Sequence, residues 1–147
     1  MTASARSRTR AFVATALAAA AALALAGCST STSAVKDYRG EPKGVDAPAS
    51  SAGGAPFSVW LHGGDQFTVT LYGSSTCPPV ATKFKLVGKN QMTITVPDPA
   101  AKNKVCTMDY VPHTTVFDTP NTVDRHRDVK ITAQEMTFVL QGLPASK

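Results

Sequence analysis

The sequence predicts an all-β fold. From residue 56 onward, apolar and polar residues alternate in several short runs, which is the pattern of strands that bury one face. Turn signals rich in Gly, Pro and Asn separate these runs, and no window shows a sustained helical apolar period. We therefore predict a small immunoglobulin-like β-sandwich of about seven strands with one disulfide, after a signal peptide and a disordered linker.

The first two predicted strands, residues 57–61 and 66–72, form a hairpin around a turn at residues 62–65. Alternation predicts a core face in each strand, made of Phe57, Val59 and Leu61 and of Phe67, Val69 and Leu71. Tyr72 falls on the opposite face, where we expect it to be exposed. Trp60 precedes both later cysteines, whereas the core Trp of a true immunoglobulin domain lies between them. The prediction therefore concerns architecture and not family.

A second hairpin is predicted from residues 83–87 and 91–96. Its inward-facing residues are expected to be Phe84, Leu86, Met92, Ile94 and Val96. Further strands are predicted at residues 105–110, 114–118, 129–133 and 135–140. Pro112 is expected to interrupt the chain between two of them, because proline cannot donate a hydrogen bond to a neighbouring strand.

The first 27 residues have the plan of a secretory signal. Arg6, Arg8 and Arg10 form a basic start, and residues 11–26 are uncharged and mostly Ala or Leu. A transmembrane helix needs about 20 strongly apolar residues. Because this run is shorter and dominated by Ala, we predict a cleaved signal and not a permanent membrane span.

Leu25-Ala26-Gly27-Cys28 resembles the lipobox of bacterial lipoproteins. The resemblance implies that Cys28 carries a diacylglycerol and becomes the first residue of the mature chain. It also implies a lipid anchor on the extracytoplasmic face of the cell membrane, which is stable because two or more acyl chains hold firmly. The alternative is an ordinary secretory signal with a chance cysteine.

The mature chain also resembles small lipoproteins of high-GC Gram-positive bacteria. The similar residues are Val59-Trp60, residues 73–79, Cys106 with Asp109, and Thr114-Thr115 before Pro120. This resemblance implies the same location and a disulfide, and it implies no particular activity.

Residues 28–55 are predicted to be a flexible linker that begins with the lipidated cysteine. They are rich in Ser, Ala, Gly and Pro and contain few large apolar residues, so they cannot offset the entropy of becoming ordered. A flexible coil of this length spans about 25–30 Å. The predicted organisation is therefore a signal peptide at 1–27, a linker at 28–55 and a β-sandwich domain at 56–147.

The charge of the chain gives little support for nucleic-acid binding. The formal net charge is +5, and removing Arg6, Arg8 and Arg10 with the signal leaves +2. No basic run is longer than the pairs Lys83/Lys85 and Arg125/Arg127. We expect no nucleic-acid partner, and the small positive excess fits contact with anionic envelope polymers.

Cys77 and Cys106 are expected to form a disulfide, because lipidation uses the third cysteine and the exported domain meets an oxidising compartment. The bridge would close a loop of about 30 residues and stabilise the domain by roughly 3–4 kcal/mol. Two free thiols or a redox pair are the alternatives, and the absence of a Cys-x-x-Cys motif disfavours redox chemistry.

The loop at residues 73–79 is the strongest candidate for a ligand-binding site. It places Ser74, Ser75 and Thr76 between the exposed Tyr72 and a disulfide cysteine, and its two prolines restrict the backbone. Such a loop can bind a sugar or a peptide with little ordering cost. The alternative is a structural turn whose hydroxyl groups bond locally.

No catalytic residue, cofactor or metal ligand is predicted. The sequence has neither a Gly-x-Ser-x-Gly nor a Ser-x-x-Lys motif, which disfavours a small hydrolase. A copper-type site would use His62, His113, His126, Met92 and Met108. We expect a non-catalytic binding or interaction module, anchored to the membrane through Cys28, whose partner is an envelope protein or a glycan.

Overall fold

The computed structural model describes residues 31–99 and 104–145, so the predicted signal peptide and Cys28 lie outside the described residues. This part of the chain contains nine β-strands and no α-helix. The strands are β1 (Ser31–Ser33), β2 (Lys36–Arg39), β3 (Trp60–Leu61), β4 (Gln66–Gly73), β5 (Lys83–Gly88), β6 (Gln91–Thr95), β7 (Val111–Asp118), β8 (Val129–Ala133) and β9 (Met136–Leu140). None of the helical turns in the described ranges is long and apolar enough to span a membrane.

The strands form two sheets, which confirms the predicted all-β class. One sheet has five strands in the order β1-β5-β6-β8-β9, and the other has four in the order β2-β7-β4-β3. Neighbouring strands are antiparallel except for β6 and β8, which run parallel because β7, in the other sheet, lies between them in the chain. Seven strands come from residues 56–145, in agreement with the sequence, and two more come from the predicted linker.

Aromatic side chains from both sheets meet in the core. Phe67 of β4 stacks on Phe117 of β7, with ring centroids 5.4 Å apart, and Phe84 of β5 contacts both rings edge-on at 5.4 and 5.3 Å. All three are almost completely buried. Since these residues link the two sheets, they supply a large share of the apolar burial that holds the sandwich together.

The first hairpin is present, but its predicted core face is wrong in β3. Trp60 lies opposite Phe67 and Leu61 opposite Gln66, so Trp60 faces the core and Leu61 does not. A one-residue change of phase moves every side chain to the other face. The indole explains the choice, because it packs edge-on against Phe67 and its Nε1 donates a hydrogen bond to the Gln141 carbonyl at 2.7 Å.

The hairpins β5–β6 and β8–β9 agree with the sequence, and Phe84, Met92 and Ile94 face the core. Residues 105–110 form no strand, so that prediction is wrong. Their polar side chains bond to a neighbouring loop, and their backbone pairs with no strand. Pro112 does not interrupt β7, because the strand begins at Val111 and Pro112 lies opposite Tyr72.

The predicted linker differs most from expectation. From residue 31 onward it adds β1 to the edge of the five-stranded sheet and β2 to the edge of the four-stranded sheet. Edge pairing is made by backbone hydrogen bonds and therefore needs few apolar side chains. Beyond β2, Thr114 Oγ1 donates to the Gly40 carbonyl at 2.7 Å, and Phe57 pairs with Thr70. These contacts cover the outer face of β4 and β7, where Thr68 and Thr70 are fully buried.

Candidate functional site

Two loops meet at one end of the sandwich, and we call residues 73–79 and 104–110 together the disulfide-linked loops. The first follows β4 and the second precedes β7. Cys77 and Cys106 join them through the predicted disulfide, with a Cα–Cα distance of 5.4 Å. Cys77 is buried and Cys106 is partly exposed. The bridge therefore attaches a surface segment to the edge of the folded core.

The side chains of Ser74, Ser75 and Thr76, which were predicted to bind a ligand, all form hydrogen bonds across the two loops. Ser74 Oγ lies 2.9 Å from Thr107 Oγ1, and the Thr107 amide donates to Thr76 Oγ1 at 3.0 Å. The Ser75 amide donates to Asp109 Oδ1 at 3.0 Å, and Ser75 Oγ lies 3.3 Å from Thr107 Oγ1. These hydroxyl groups are engaged with the facing loop, which favours a structural role for residues 74–76.

Asp109 is the charged member of this network. Hydrogen bonds from Ser75 and from the Thr107 hydroxyl to its carboxylate lower the pKa of Asp109 from 3.8 to about 2. The carboxylate is therefore ionised at any physiological pH and accepts hydrogen bonds from both sides. It contributes to holding the two loops in one arrangement.

Tyr72 lies on the face that the sequence predicted, but it has two neighbours. Its ring stacks on Tyr110 with centroids 5.5 Å apart, and its hydroxyl donates to Glu41 Oε1 at 2.6 Å. Burial, then the hydrogen bond and negative charge of Glu41, raise the pKa of Tyr72 to about 12. Tyr110 in turn donates to the Gly54 carbonyl at 3.1 Å. Glu41 and Gly54 belong to the segment predicted as linker, so the site includes residues that sequence reasoning placed elsewhere.

An exposed apolar surface was missed by the sequence interpretation. Val105 and Met108 are essentially fully exposed, at 94% and 103% of their reference areas, and Tyr110 is 63% exposed. All three lie within residues 105–110, which the sequence predicted to be a strand. The spacing of three between Val105 and Met108, which a strand cannot place on one face, was the signal against that assignment.

The histidines and methionines of the copper-type alternative do not converge in the structure. His113 is buried, and its Nε2 lies 2.8 Å from Asp37 Oδ2. His126 is exposed with Nδ1 3.2 Å from the Leu143 carbonyl, Met92 is in the core and Met108 is on the surface. Among the described residues, no three His, Cys, Asp or Glu side chains lie close enough together to hold a metal ion.

Comparisons with models of protein families, with curated proteins and with solved structures give no match to this chain. Its function is therefore inferred from the residues described above.

Proposed function

We propose that this chain is a membrane-anchored surface lipoprotein whose β-sandwich is a non-catalytic binding module for another envelope protein. The anchor in this proposal is a diacylglycerol on Cys28, and its support is the Leu25-Ala26-Gly27-Cys28 motif after a signal-like start. The proposed contact surface is made of the exposed apolar side chains of residues 104–110, which are Val105, Met108 and Tyr110.

The observation that carries the binding proposal is the exposure of large apolar side chains on a restrained segment. Exposed apolar groups that lie together on a protein surface commonly mark an interaction site. Here the segment is held by the Cys77–Cys106 bridge and by the bonds of Thr107 and Asp109. A partner would therefore meet a surface that is already ordered, so that little conformational entropy is lost on binding.

The chemistry of this surface favours a protein partner over a glycan. Met108 is flexible and polarisable and adapts to irregular apolar surfaces, and Val105 adds a second aliphatic contact. Glycan binding would instead need free aromatic faces beside free hydroxyl groups. One face of Tyr110 is covered by Tyr72, and the hydroxyl groups of Ser74 and Ser75 are bonded to Thr107.

The position of the loops agrees with this function. Strand β5 starts at Lys83, beside the disulfide-linked loops, and ends at Gly88, and β1 runs antiparallel to it with Ser33 opposite Lys83 and Ser31 opposite Lys85. The N-terminal end of β1 is therefore directed away from the disulfide-linked loops. An anchored domain would present these loops away from the membrane.

Crosslinking on intact cells tests the proposed contact surface. The variant V105S/M108S removes both aliphatic side chains without changing the core, since both residues are exposed. The control V35S/M136S makes the same two substitutions elsewhere, at residues that are 51% and 41% exposed. We expect a crosslinked partner with the wild type and the control and its loss with V105S/M108S.

Equal crosslinking of all three proteins would overturn the proposed surface. The triple change of Tyr72, Ser74 and Ser75 to Ala tests the hydroxyl-bearing side of the same loops. Loss of the partner with that variant only, without unfolding, would assign recognition to the hydroxyl groups and favour a glycan or a polar peptide.

A further inference from the structure

A second surface lies at the opposite end of the sandwich, which we call the proximal end. Here the β5–β6 turn, the loop before β8 and the end of β9 surround an open depression of about 380 Å³. The residues that line it include Lys89, Gln91, Arg127, Asp128, Lys130 and Val139. Three of these six side chains are cationic and one is anionic, in a mature chain whose net charge is only +2.

The three cations of the depression differ from its one acidic residue in their side-chain contacts. Within the described ranges, neither Lys89, Arg127 nor Lys130 forms a side-chain hydrogen bond or an ion pair, and all three are exposed. The acidic neighbour is engaged, because Asp128 Oδ1 accepts a hydrogen bond from the Gly142 amide at 3.0 Å. As far as the described residues extend, the positive charge of the depression is therefore unpaired.

A buried side chain holds the cations on one rigid surface. Asn90 adopts a left-handed conformation at φ 53°. Its Nδ2 donates to the Asp124 carbonyl at 2.8 Å, and its Oδ1 accepts from the Asp124 amide at 2.9 Å. The Asn90 carbonyl accepts from the Lys130 amide at 2.9 Å. These bonds attach the loop that carries Arg127 to the turn that carries Lys89.

The chain length between Cys28 and β1 determines how far this end can lie from the lipid. Three residue steps separate Cys28 from Ser31, so even a fully extended chain spans only about 10–11 Å. Because β1 runs antiparallel to β5, with Ser31 opposite Lys85 and Ser33 opposite Lys83, the N-terminal end of β1 faces Gly88 and the β5–β6 turn. The maximum span of about 10–11 Å between Cys28 and Ser31 is close to the Debye length of about 10 Å at 0.1 M salt, within which surface charges interact.

Two apolar side chains flank the cations. Val87, beside the β5–β6 turn, is 58% exposed, and Val139, in the wall of the depression, is 47% exposed. Unpaired cations beside exposed apolar groups are the combination that binds an anionic lipid surface: charge attracts the headgroups, and apolar groups enter the boundary with the acyl chains.

We propose that the proximal end docks on anionic phospholipid headgroups of the same membrane that holds the anchor, through Lys89, Arg127 and Lys130 with Val87 and Val139 at the boundary. This inference rests on the proposed lipidation of Cys28. It replaces the expected tether of about 25–30 Å with a domain seated on the membrane and oriented by it.

Lysine acylation followed by mass spectrometry tests the docking. The lipidated protein, extracted from its own membranes, is placed in vesicles of phosphatidylcholine alone or of phosphatidylcholine with phosphatidylglycerol. We expect Lys89 and Lys130 to react several-fold more slowly on the anionic vesicles, and high salt to remove that protection. Lys36 and Lys43 lie on β2 and on the loop after it and serve as internal controls, which should react equally on both vesicles.

Charge reversal gives a matched pair of variants. Arg127→Glu leaves Lys89 and Lys130 in place as probes and should abolish most of their protection. Arg39→Glu makes the same change on an exposed residue of β2 and should leave the protection intact. Equal loss with both variants would indicate a general effect of net charge and would overturn the docking surface.

Flotation separates this inference from the anchor proposal. A protein that floats with both kinds of vesicle, yet shows equal acylation of Lys89 and Lys130 on each, keeps its anchor and overturns the docking. A protein that floats with neither kind of vesicle overturns the anchor. In that case the docking is tested by adding excess anionic vesicles, which should still protect Lys89 and Lys130 from acylation if the docking is correct. Protection by soluble polyphosphate without protection by anionic vesicles would also overturn the membrane as the occupant.

Discussion

Removing the disulfide by Cys77→Ser with Cys106→Ser is expected to destabilise the domain by about 3–4 kcal/mol. The two cysteines are 29 positions apart. For a loop of that length, the chain-entropy relation gives about 3.6 kcal/mol at 25 °C. A loss of this size is a large fraction of the typical stability of a small domain, which is about 5–15 kcal/mol.

The same change should release the proposed contact surface before the core unfolds. Residues 104–110 pair with no strand, and apart from the bridge they are held mainly by side-chain bonds and by the stacking of Tyr110 on Tyr72. We therefore expect the Thr107 amide, which donates to Thr76 Oγ1, to exchange its hydrogen much faster in the variant.

Urea unfolding followed by tryptophan fluorescence measures the global effect. Trp60 is the only tryptophan of the chain and is buried between the sheets, so its emission reports the core. With a urea m-value of about 1–3 kcal/mol/M, the expected loss lowers the unfolding midpoint by roughly 1–4 M. Cys77 is buried, so a serine at that position also buries a hydroxyl group. A second double variant, Cys77→Ala with Cys106→Ala, lacks this hydroxyl group, and the difference in stability between the two double variants gives its contribution.

An unfolding midpoint that stays unchanged in both the double serine and the double alanine variant would refute the chain-entropy estimate. A large loss of stability with slow exchange still present at Thr107 would refute the second part, since the side-chain bonds alone would then hold the segment.

Three further predictions concern the core, the proximal end and pH. Phe67→Ala leaves a cavity among the core rings and should cost about 3–5 kcal/mol in urea unfolding, while a cost under 1 kcal/mol would mean that the sheets close around the gap. Asn90→Gly keeps the left-handed backbone accessible and removes the side-chain bonds to Asp124 and to the Arg127 and Asp128 carbonyls, so we expect a loss of about 1–3 kcal/mol, and an unchanged midpoint would contradict this role. Because the folded pKa of Asp109 is about 2 and its ordinary value is 3.8, its carboxylate should stabilise the fold fully above about pH 4 and lose that effect as the pH falls through 2. Asp109→Asn should differ from the wild type above that window and converge with it below, and parallel pH-stability curves would contradict the assignment.

In the proposed arrangement, one end of the sandwich contacts the membrane and the other binds the partner. Among the described residues, the proximal end carries the unpaired cations and is the end that the start of β1 faces, and the opposite end carries the exposed apolar side chains of residues 104–110. Docking at one end would hold the other at a fixed height and orientation above the lipid. A rigid placement of this kind would favour binding to a partner in the same membrane, because both molecules are confined to one surface.

Hairpins could be predicted from the sequence where strands have one apolar and one polar face. Phe67, Val69 and Leu71 in β4 and Phe84 in β5 fall on the core face because alternate side chains of a strand point to the same side. Residues 31–39 could not be predicted in this way. Their pairing is made by backbone groups at sheet edges, and backbone hydrogen bonding leaves little trace in the order of side chains.

The candidate surfaces show the same limit. Tyr72 and residues 74–76 could be found from composition, but the bonds of Thr107 and Asp109 to them join positions more than thirty residues apart. The cations at the proximal end lie in the β5–β6 turn, in the loop before β8 and on β8. The pairing of β6 with β8 and the Asn90 contacts bring them together. Local patterns predict strands, whereas sites that depend on long-range contacts need the fold.

The anchor on which both proposals depend is tested most directly by the intact mass of the protein extracted from its own cell membranes. We predict a chain that begins at Cys28, is heavier by at least a diacylglycerol, and is two hydrogens lighter for the Cys77–Cys106 bridge. A chain that retains residues 1–27, or one whose Cys28 thiol is free, would contradict the lipid anchor and the membrane-seated orientation derived from it.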